Sequence, residues 1–280
     1  MVKETPFANG VKVAIGETGM GEQSASLKEQ LARVNVTSVK DIRPAAEALR
    51  DIAWERASLR VALADNIASK NPLMDEDGGV LAAEVFGWNA PDERWWADTR
   101  LALSSPVPRA CRYESEPFWV NADGFRSRQP NRYLEAIDLS NFEKRALCKA
   151  TIGIPVHLPF GQIGLASYGV ADPDRTDLSV EYEAHADELY LLSHRFIAGC
   201  VKALRTRQWL PADCQLTKRE VECLRWASIG KTDKEISMIL GRSHATVRFH
   251  IQNAGEKLDA VNRSQTIFKA AQLGYLGYAA

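Results

Sequence analysis

The residues best suited to chemistry lie in the run Thr246-Val247-Arg248-Phe249-His250-Ile251-Gln252. If this run is helical, Val247 and Ile251 share one side, and Arg248, Phe249 and Gln252 lie opposite them. Arginine can bond guanine bidentately, glutamine can bond adenine, and phenylalanine can meet a thymine methyl. The set therefore suits reading base edges in a major groove. Thr246, His250, Lys231, Lys234 and Arg242 are placed for phosphates, as is the helix N-terminus itself. Other chemistry finds no support. There is no G-x-S-x-G and no paired catalytic motif, so an enzyme is not expected. The glycines of Gly16-Glu17-Thr18-Gly19-Met20-Gly21 lack the lysine of a phosphate-binding loop. His157, His185 and His194 fit no metal spacing. The five cysteines are odd in number and never form a C-x-x-C pair. They read as reduced, mostly buried thiols of a cytoplasmic protein, with no metal and no cofactor.

Four short helices must position the base-reading face. Thr217 with Glu220 forms a capping box, and Gly230 closes that helix. Thr232 with Glu235 forms a second box; Ile236, Ile239 and Leu240 are expected to face inward, and Gly241 ends the element. Ser243 starts a third helix with Val247, Ile251, Ala254 and Leu258 on one face. Ser264 is the expected cap of a fourth, carrying Ile267, Ala271 and Leu273. Two such helices joined by Gly241-Arg242-Ser243 make a helix-turn-helix, whose second helix enters the groove. Charge agrees with this. The whole chain carries −1, from 35 Lys+Arg against 36 Asp+Glu, while residues 213–280 hold ten basic and seven acidic residues, a net of +3. By subtraction the remainder carries −4, so the balance excludes a histone-like polycation and leaves one basic module.

Upstream, 280 residues exceed a typical single domain, and 45% apolar with 25% charged residues suits a folded chain. Residues 1–40 read as a flexible extension with one short helix near Ser26–Val34, and Met1–Gln30 lacks the apolar run of a secretory signal. From Pro44 the spacing of Ala45, Leu49, Ile52, Ala53, Leu59, Ala62, Leu63 and Ile67 predicts one helix ending at Asn71-Pro72. An aromatic-rich mixed region follows. Asp138–Ala150 reads as another helix. Thr151–Ala171 bears no formal charge over a near membrane-spanning length. Its prolines and glycines resolve it instead into a hairpin, Ile152–Leu158 and Ile163–Val170. Ser179–Leu204 is a long helix. Thr206–Cys214 breaks the pattern. The expected organisation is α+β: an extension (1–40), a sensor and dimerisation domain with helices on the faces of a sheet (41–205), a linker (206–214), and a four-helix DNA-binding domain (215–280).

The C-terminal segment resembles the LuxR/FixJ-type helix-turn-helix over about sixty residues. The resemblance rests on Leu216-Thr217-x-Arg219-Glu220, Gly230-Lys231-Thr232, Lys234-Glu235-Ile236, Thr246-Val247-Arg248-x-His250, and Lys257-Leu258 through Asn262-Arg263 to Gln265. It implies DNA contact at Arg248 and a dimer contact along Ser264–Leu273. The hairpin Ile154-Pro155-Val156-His157-Leu158-Pro159-Phe160-Gly161-Gln162-Ile163-Gly164-Leu165-Ala166-Ser167 resembles the acyl-homoserine-lactone-binding domain of quorum-sensing LuxR regulators. Pro91 with Trp95, and Pro117-Phe118 beside Trp119, are similar to further family segments. The resemblance implies an α-β-α sandwich with a ligand cavity between sheet and helices, lined by Trp95, Trp96, Ser105, Phe118 and Trp119.

Three departures bear on the ligand. The family's Asp-Pro, whose carboxylate accepts a ligand amide hydrogen, reads Ser105-Pro106, the tyrosine expected four residues after the pocket tryptophan reads Thr99 if Trp95 is that tryptophan, and a family glycine reads Thr151. Losing that acceptor costs about 1.5–3 kcal/mol. Three readings stay open: a lactone-responsive regulator, a solo regulator that takes another ligand or none, and a module that docks a protein partner. In the first two the implied partners are double-stranded DNA with a dyad operator, a second copy of the chain, and a small autoinducer in the first. No membrane partner is expected.

Overall fold

Five antiparallel strands hold the first folded unit together. The computed structural model describes residues 26–89, 103–170, 172, 174–204 and 214–277. The strands are β1 (Leu59–Ala64), β2 (Phe118–Asn121), β3 (Gly124–Ser127), β4 (Ala150–His157) and β5 (Ile163–Val170), in the spatial order β1-β5-β4-β2-β3. The predicted hairpin is β4–β5. Its register pairs Ile154 with Ala166 and His157 with Ile163. Phe160 and Gly161 turn the corner at positive φ, 68° and 73°, and Leu158 donates its N–H to the Gln162 carbonyl at 2.8 Å.

Helices cover both sheet faces. On one side lie α1 (Leu27–Arg33), α2 (Ile42–Ala57) and the long α7 (Ser179–Leu204), which has the predicted bounds. Their buried Leu49, Ile52, Phe196 and Ile197 meet Ile152, Ile154, Val156 and Tyr168. On the other side lie the short α4 (Pro106–Ala110), α5 (Arg132–Glu135) and α6 (Phe142–Ala146), packing Val107, Leu134 and Phe142 on Phe118, Val120 and Leu165. A further turn, α3 (Leu81–Glu84), follows β1. Alternation across each strand divides the two cores, because successive side chains point to opposite faces.

Three expectations change here. The helix predicted from Pro44 to Asn71 stops at Ser58, which is left-handed with φ 51°. Beyond it Leu59, Val61 and Leu63 are buried at intervals of two, and the segment is the edge strand β1. The helix expected over Asp138–Ala150 shrinks to α6, because Asn141 and Leu147 are left-handed at its two ends and Ala150 already belongs to β4. The described part of the expected extension is packed: Ser26 caps α1 with Glu29 in a capping box, and Val34 and Val36 are buried in the main core. Val36 also explains Gly199. A Cβ there would lie 2.8 Å from the Val36 carbonyl oxygen. Gly199→Ala should therefore cost about 1–3 kcal/mol through overpacking, read as a lower urea midpoint at unchanged slope. An unchanged midpoint would show that the Val36 segment yields freely.

The second unit comprises α8 (Lys218–Ser228), α9 (Asp233–Leu240), α10 (His244–Lys257) and α11 (Arg263–Gln272) around Leu224, Ile236, Val247, Ile251, Ala254 and Leu258. It touches the first through α11, where Gln272 Nε2 donates to the Phe160 carbonyl at 3.0 Å. Among the described residues no helix is long and apolar enough to cross a membrane.

Candidate nucleic-acid interface and sheet cavity

Local hydrogen bonds fix each helix of the C-terminal unit. Thr217 Oγ1 accepts the Glu220 N–H, and the Glu220 carboxylate accepts the Thr217 N–H at 2.7 Å. Thr232 and Glu235 repeat the arrangement at 3.3 and 2.8 Å. Ser243 Oγ accepts the Thr246 N–H at 3.1 Å. For α11 the cap is Asn262, whose Oδ1 accepts the Gln265 N–H, and Ser264 lies one step inside the helix. Asn262 wins because its extended backbone sets the carbonyl oxygen over the free N–H groups of the first turn. Gly241 ends α9 with φ 60°, and the Arg242 N–H bonds the Ser237 carbonyl at 3.0 Å. This is a glycine stop of the kind expected between two crossing helices.

Burial on α10 follows the predicted stripe. Val247, Ile251, Ala254 and Leu258 are buried, while Arg248, Phe249 and Gln252 are exposed. Phe249 keeps 59% of its surface in solvent. Its ring meets His250 edge-on at 5.9 Å. Lys234 and Arg242 are exposed; Thr246, His250 and Lys231 are half-buried. The Thr246 hydroxyl bonds Ser243 Oγ at 2.8 Å, and Lys231 faces Glu235 at 3.6 Å. Ile239, expected inside, is 44% exposed. It lies three residues from Ile236, and the short α9 turns only one narrow edge to the core.

Two lysines have roles that the sequence did not reveal: it shows Lys257 as basic charge and family motif, and Lys269 as basic charge alone. Lys257 Nζ lies 2.9 and 3.0 Å from the buried Glu220 carboxylate, locking α10 to α8. Burial alone would raise the Glu220 pKa, but the Lys257 ammonium and the Thr217 N–H hold it below the ordinary carboxylate value. Lys269 is buried and donates to the carbonyls of Leu258 and Asp259 at 3.0 and 2.6 Å, closing the C-terminus of α10. A charged residue on the apolar side of a predicted helix was the available signal.

The sheet unit contains a cavity of about 120 Å³ on the face opposite α2 and α7. Ala62, Trp88, Ser105, Arg145, Thr151 and Ser167 are among its lining residues. Of the five residues expected there, Ser105 is present. Phe118 is fully buried in the neighbouring core, edge-on to Phe125, and does not line the cavity. Trp119 packs on the opposite face with the main core, since adjacent strand residues point apart. Trp95 and Trp96 lie outside the described residues. Unforeseen were Trp88, whose indole N–H bonds the Val61 carbonyl at 2.6 Å, and Arg145, which bonds Ser104 O and the Asp138 carboxylate. Ser167 fell within the predicted strand Ile163–Val170, whereas Thr151 lay one residue before the predicted strand Ile152–Leu158 and belongs to β4.

Residues 214–270 match the family of bacterial regulatory proteins, luxR family. The chain is 39% identical over 132 residues to the transcriptional activator protein VanR of Vibrio anguillarum, covering 46% of this chain and 52% of VanR. It is 30% identical over 200 residues to the transcriptional activator protein AhyR of Aeromonas hydrophila, covering 69% of this chain and 74% of AhyR. The match thus spans about half the length of VanR and about three quarters of AhyR. A solved structure of SdiA in complex with octanoyl-rac-glycerol is 20% identical over 92% of this chain and 93% of that one, with a TM-score of 0.39.

Proposed function

The chain belongs to the LuxR family of quorum-sensing transcriptional regulators, and from that premise we propose that it is a homodimer that binds a dyad DNA site and senses a small ligand. In this reading residues 215–280 bind DNA and the sheet unit senses. One observation carries it: Arg248, Phe249 and Gln252 stand exposed on α10, opposite a fully packed stripe. Lys231, Lys234, Arg242, Thr246 and His250 flank that face and take phosphates, while Arg248 and Gln252 read bases. The cavity beside Ser105 and Ser167 takes the ligand, and Trp95 and Trp96 remain candidates for its wall. Ser105 in place of the family carboxylate favours a ligand other than an ordinary acyl-homoserine lactone.

The long α7 joins the two copies. Val180, Ala184 and Leu191 are exposed along it, Leu191 by 43%. A two-fold axis through Leu191 would bring Asp187, which pairs with Arg128 of its own copy, near Arg195 of the other, in an isologous contact. The test is selection of DNA from a random pool by the full chain, with its mass followed by sedimentation. The expected result is a palindrome with half-sites about 10 bp apart and a dimer that Leu191→Arg converts to monomer. A single half-site bound by a monomer would overturn the dimer, and no enrichment at all would overturn the DNA-binding role.

A further inference from the structure

The cavity's polar wall has a direction. Thr151 Oγ1 lies 3.1 Å from the Tyr168 carbonyl and 2.7 Å from Ser167 Oγ. A carbonyl only accepts, so the single Thr151 hydrogen goes to Tyr168. Thr151 must then accept from Ser167, whose own hydrogen is committed to the buried side. Thr151 is 1% exposed, which shields its bond to the Tyr168 carbonyl, and Ser167 is half-buried. Ser167 Oγ consequently meets the cavity with lone pairs alone.

The remaining described wall is uncharged apart from Arg145. Among the described lining residues there is no carboxylate. Asn66 Oδ1 accepts the Ala68 N–H, and Ser69 Oγ accepts the Asn71 N–H, each within its own loop. Arg145 directs Nε and Nη2 at the Ser104 carbonyl, at 3.0 and 2.6 Å. Its Nη1 serves the Asp138 carbonyl and carboxylate and the Ser140 carbonyl, at 2.8 to 3.0 Å. The guanidinium charge is thereby matched by Asp138, and apart from the Ser105 hydroxyl, the Cys148 thiol and the Trp88 indole, which serves Val61, the rest of the described wall is apolar.

We propose that Thr151 sets the ligand class: the cavity takes a neutral, short-chain amphiphile that donates a hydroxyl or amide hydrogen to Ser167, rather than one that offers a carbonyl there. The proposal rests on the cavity being the ligand site. The test uses 1-octanoyl-rac-glycerol and its di-O-methyl ether, in which methyl groups replace both donor hydrogens, with N-octanoyl homoserine lactone as a third probe. Calorimetry on the full chain should find the diol bound about ten-fold or more tightly than the diether, the worth of one buried hydrogen bond. Thr151→Val frees the Ser167 hydrogen and should narrow the gap to under about three-fold, whereas Thr151→Ser keeps the relay and should preserve it. Ser167→Ala should abolish the gap without weakening the diether. Equal binding of diol and diether to the wild type, or a gap that survives Thr151→Val in a cooperatively melting protein, overturns the proposal and leaves the ligand site standing. Failure of all three probes to bind overturns the ligand site itself, and the proposal with it.

Discussion

Arg248→Ala is expected to weaken binding to the selected DNA site by roughly ten- to a hundred-fold at fixed salt, the value of one bidentate base contact of about 1–3 kcal/mol. The side chain is exposed on α10 and takes no part in the Val247/Ile251/Ala254 packing. Its removal should therefore leave the melting temperature and the oligomeric state unchanged. Lys234→Ala provides the contrast. A phosphate contact carries no sequence information, so its loss should weaken all DNA sequences alike and reduce the salt slope by about one. Fluorescence anisotropy with the selected site and a scrambled one, across a salt series, separates the two. Wild-type discrimination in Arg248→Ala would sink the proposed base-reading face.

Lys257→Met should unfold the C-terminal unit far more readily, by about 2–3 kcal/mol at neutral pH. Removing one partner of a buried ion pair strands the other, at about 3–5 kcal/mol. Lys257 is 38% exposed, and solvent screening reduces the figure. Amide hydrogen exchange over Val247–Leu258 should accelerate by about 30- to 150-fold. The pH dependence gives a second readout. In the wild type Glu220 has a lowered pKa, because the ammonium and the Thr217 N–H outweigh its burial. Its stabilisation is therefore present above the ordinary carboxylate value and fades as pH falls through the folded one. In Lys257→Met burial acts without the ammonium, the carboxyl protonates more readily, and the gap between the two proteins should close towards pH ~4. A gap independent of pH would mean that lost packing of the lysine stem, and not the ion pair, carries the effect.

Sequence reading located the caps of α8, α9 and α10, the hairpin and the bounds of α7, since each rests on contacts within a few residues. It missed β1, because Leu59 and Leu63 satisfy a four-residue spacing as well as a two-residue one. Only pairing with β5, about a hundred residues away, decides between them. It placed Trp119 in the ligand wall because a resemblance carries residue types and not faces. The register of β2 against β4 turns Trp119 towards the main core.

By itself, then, the sequence determined the helix-turn-helix, its exposed Arg248, Phe249 and Gln252, and the family. Caps, glycine stops and a four-residue apolar period are local, and a short capped helix has few other ways to bury its stripe. The cavity was decided only in three dimensions. Ser105, Arg145, Thr151 and Ser167 come from a helix cap, a short helix and two strands. The committed hydrogen of Ser167 depends on two oxygens that the strand register alone brings within bonding distance of Thr151.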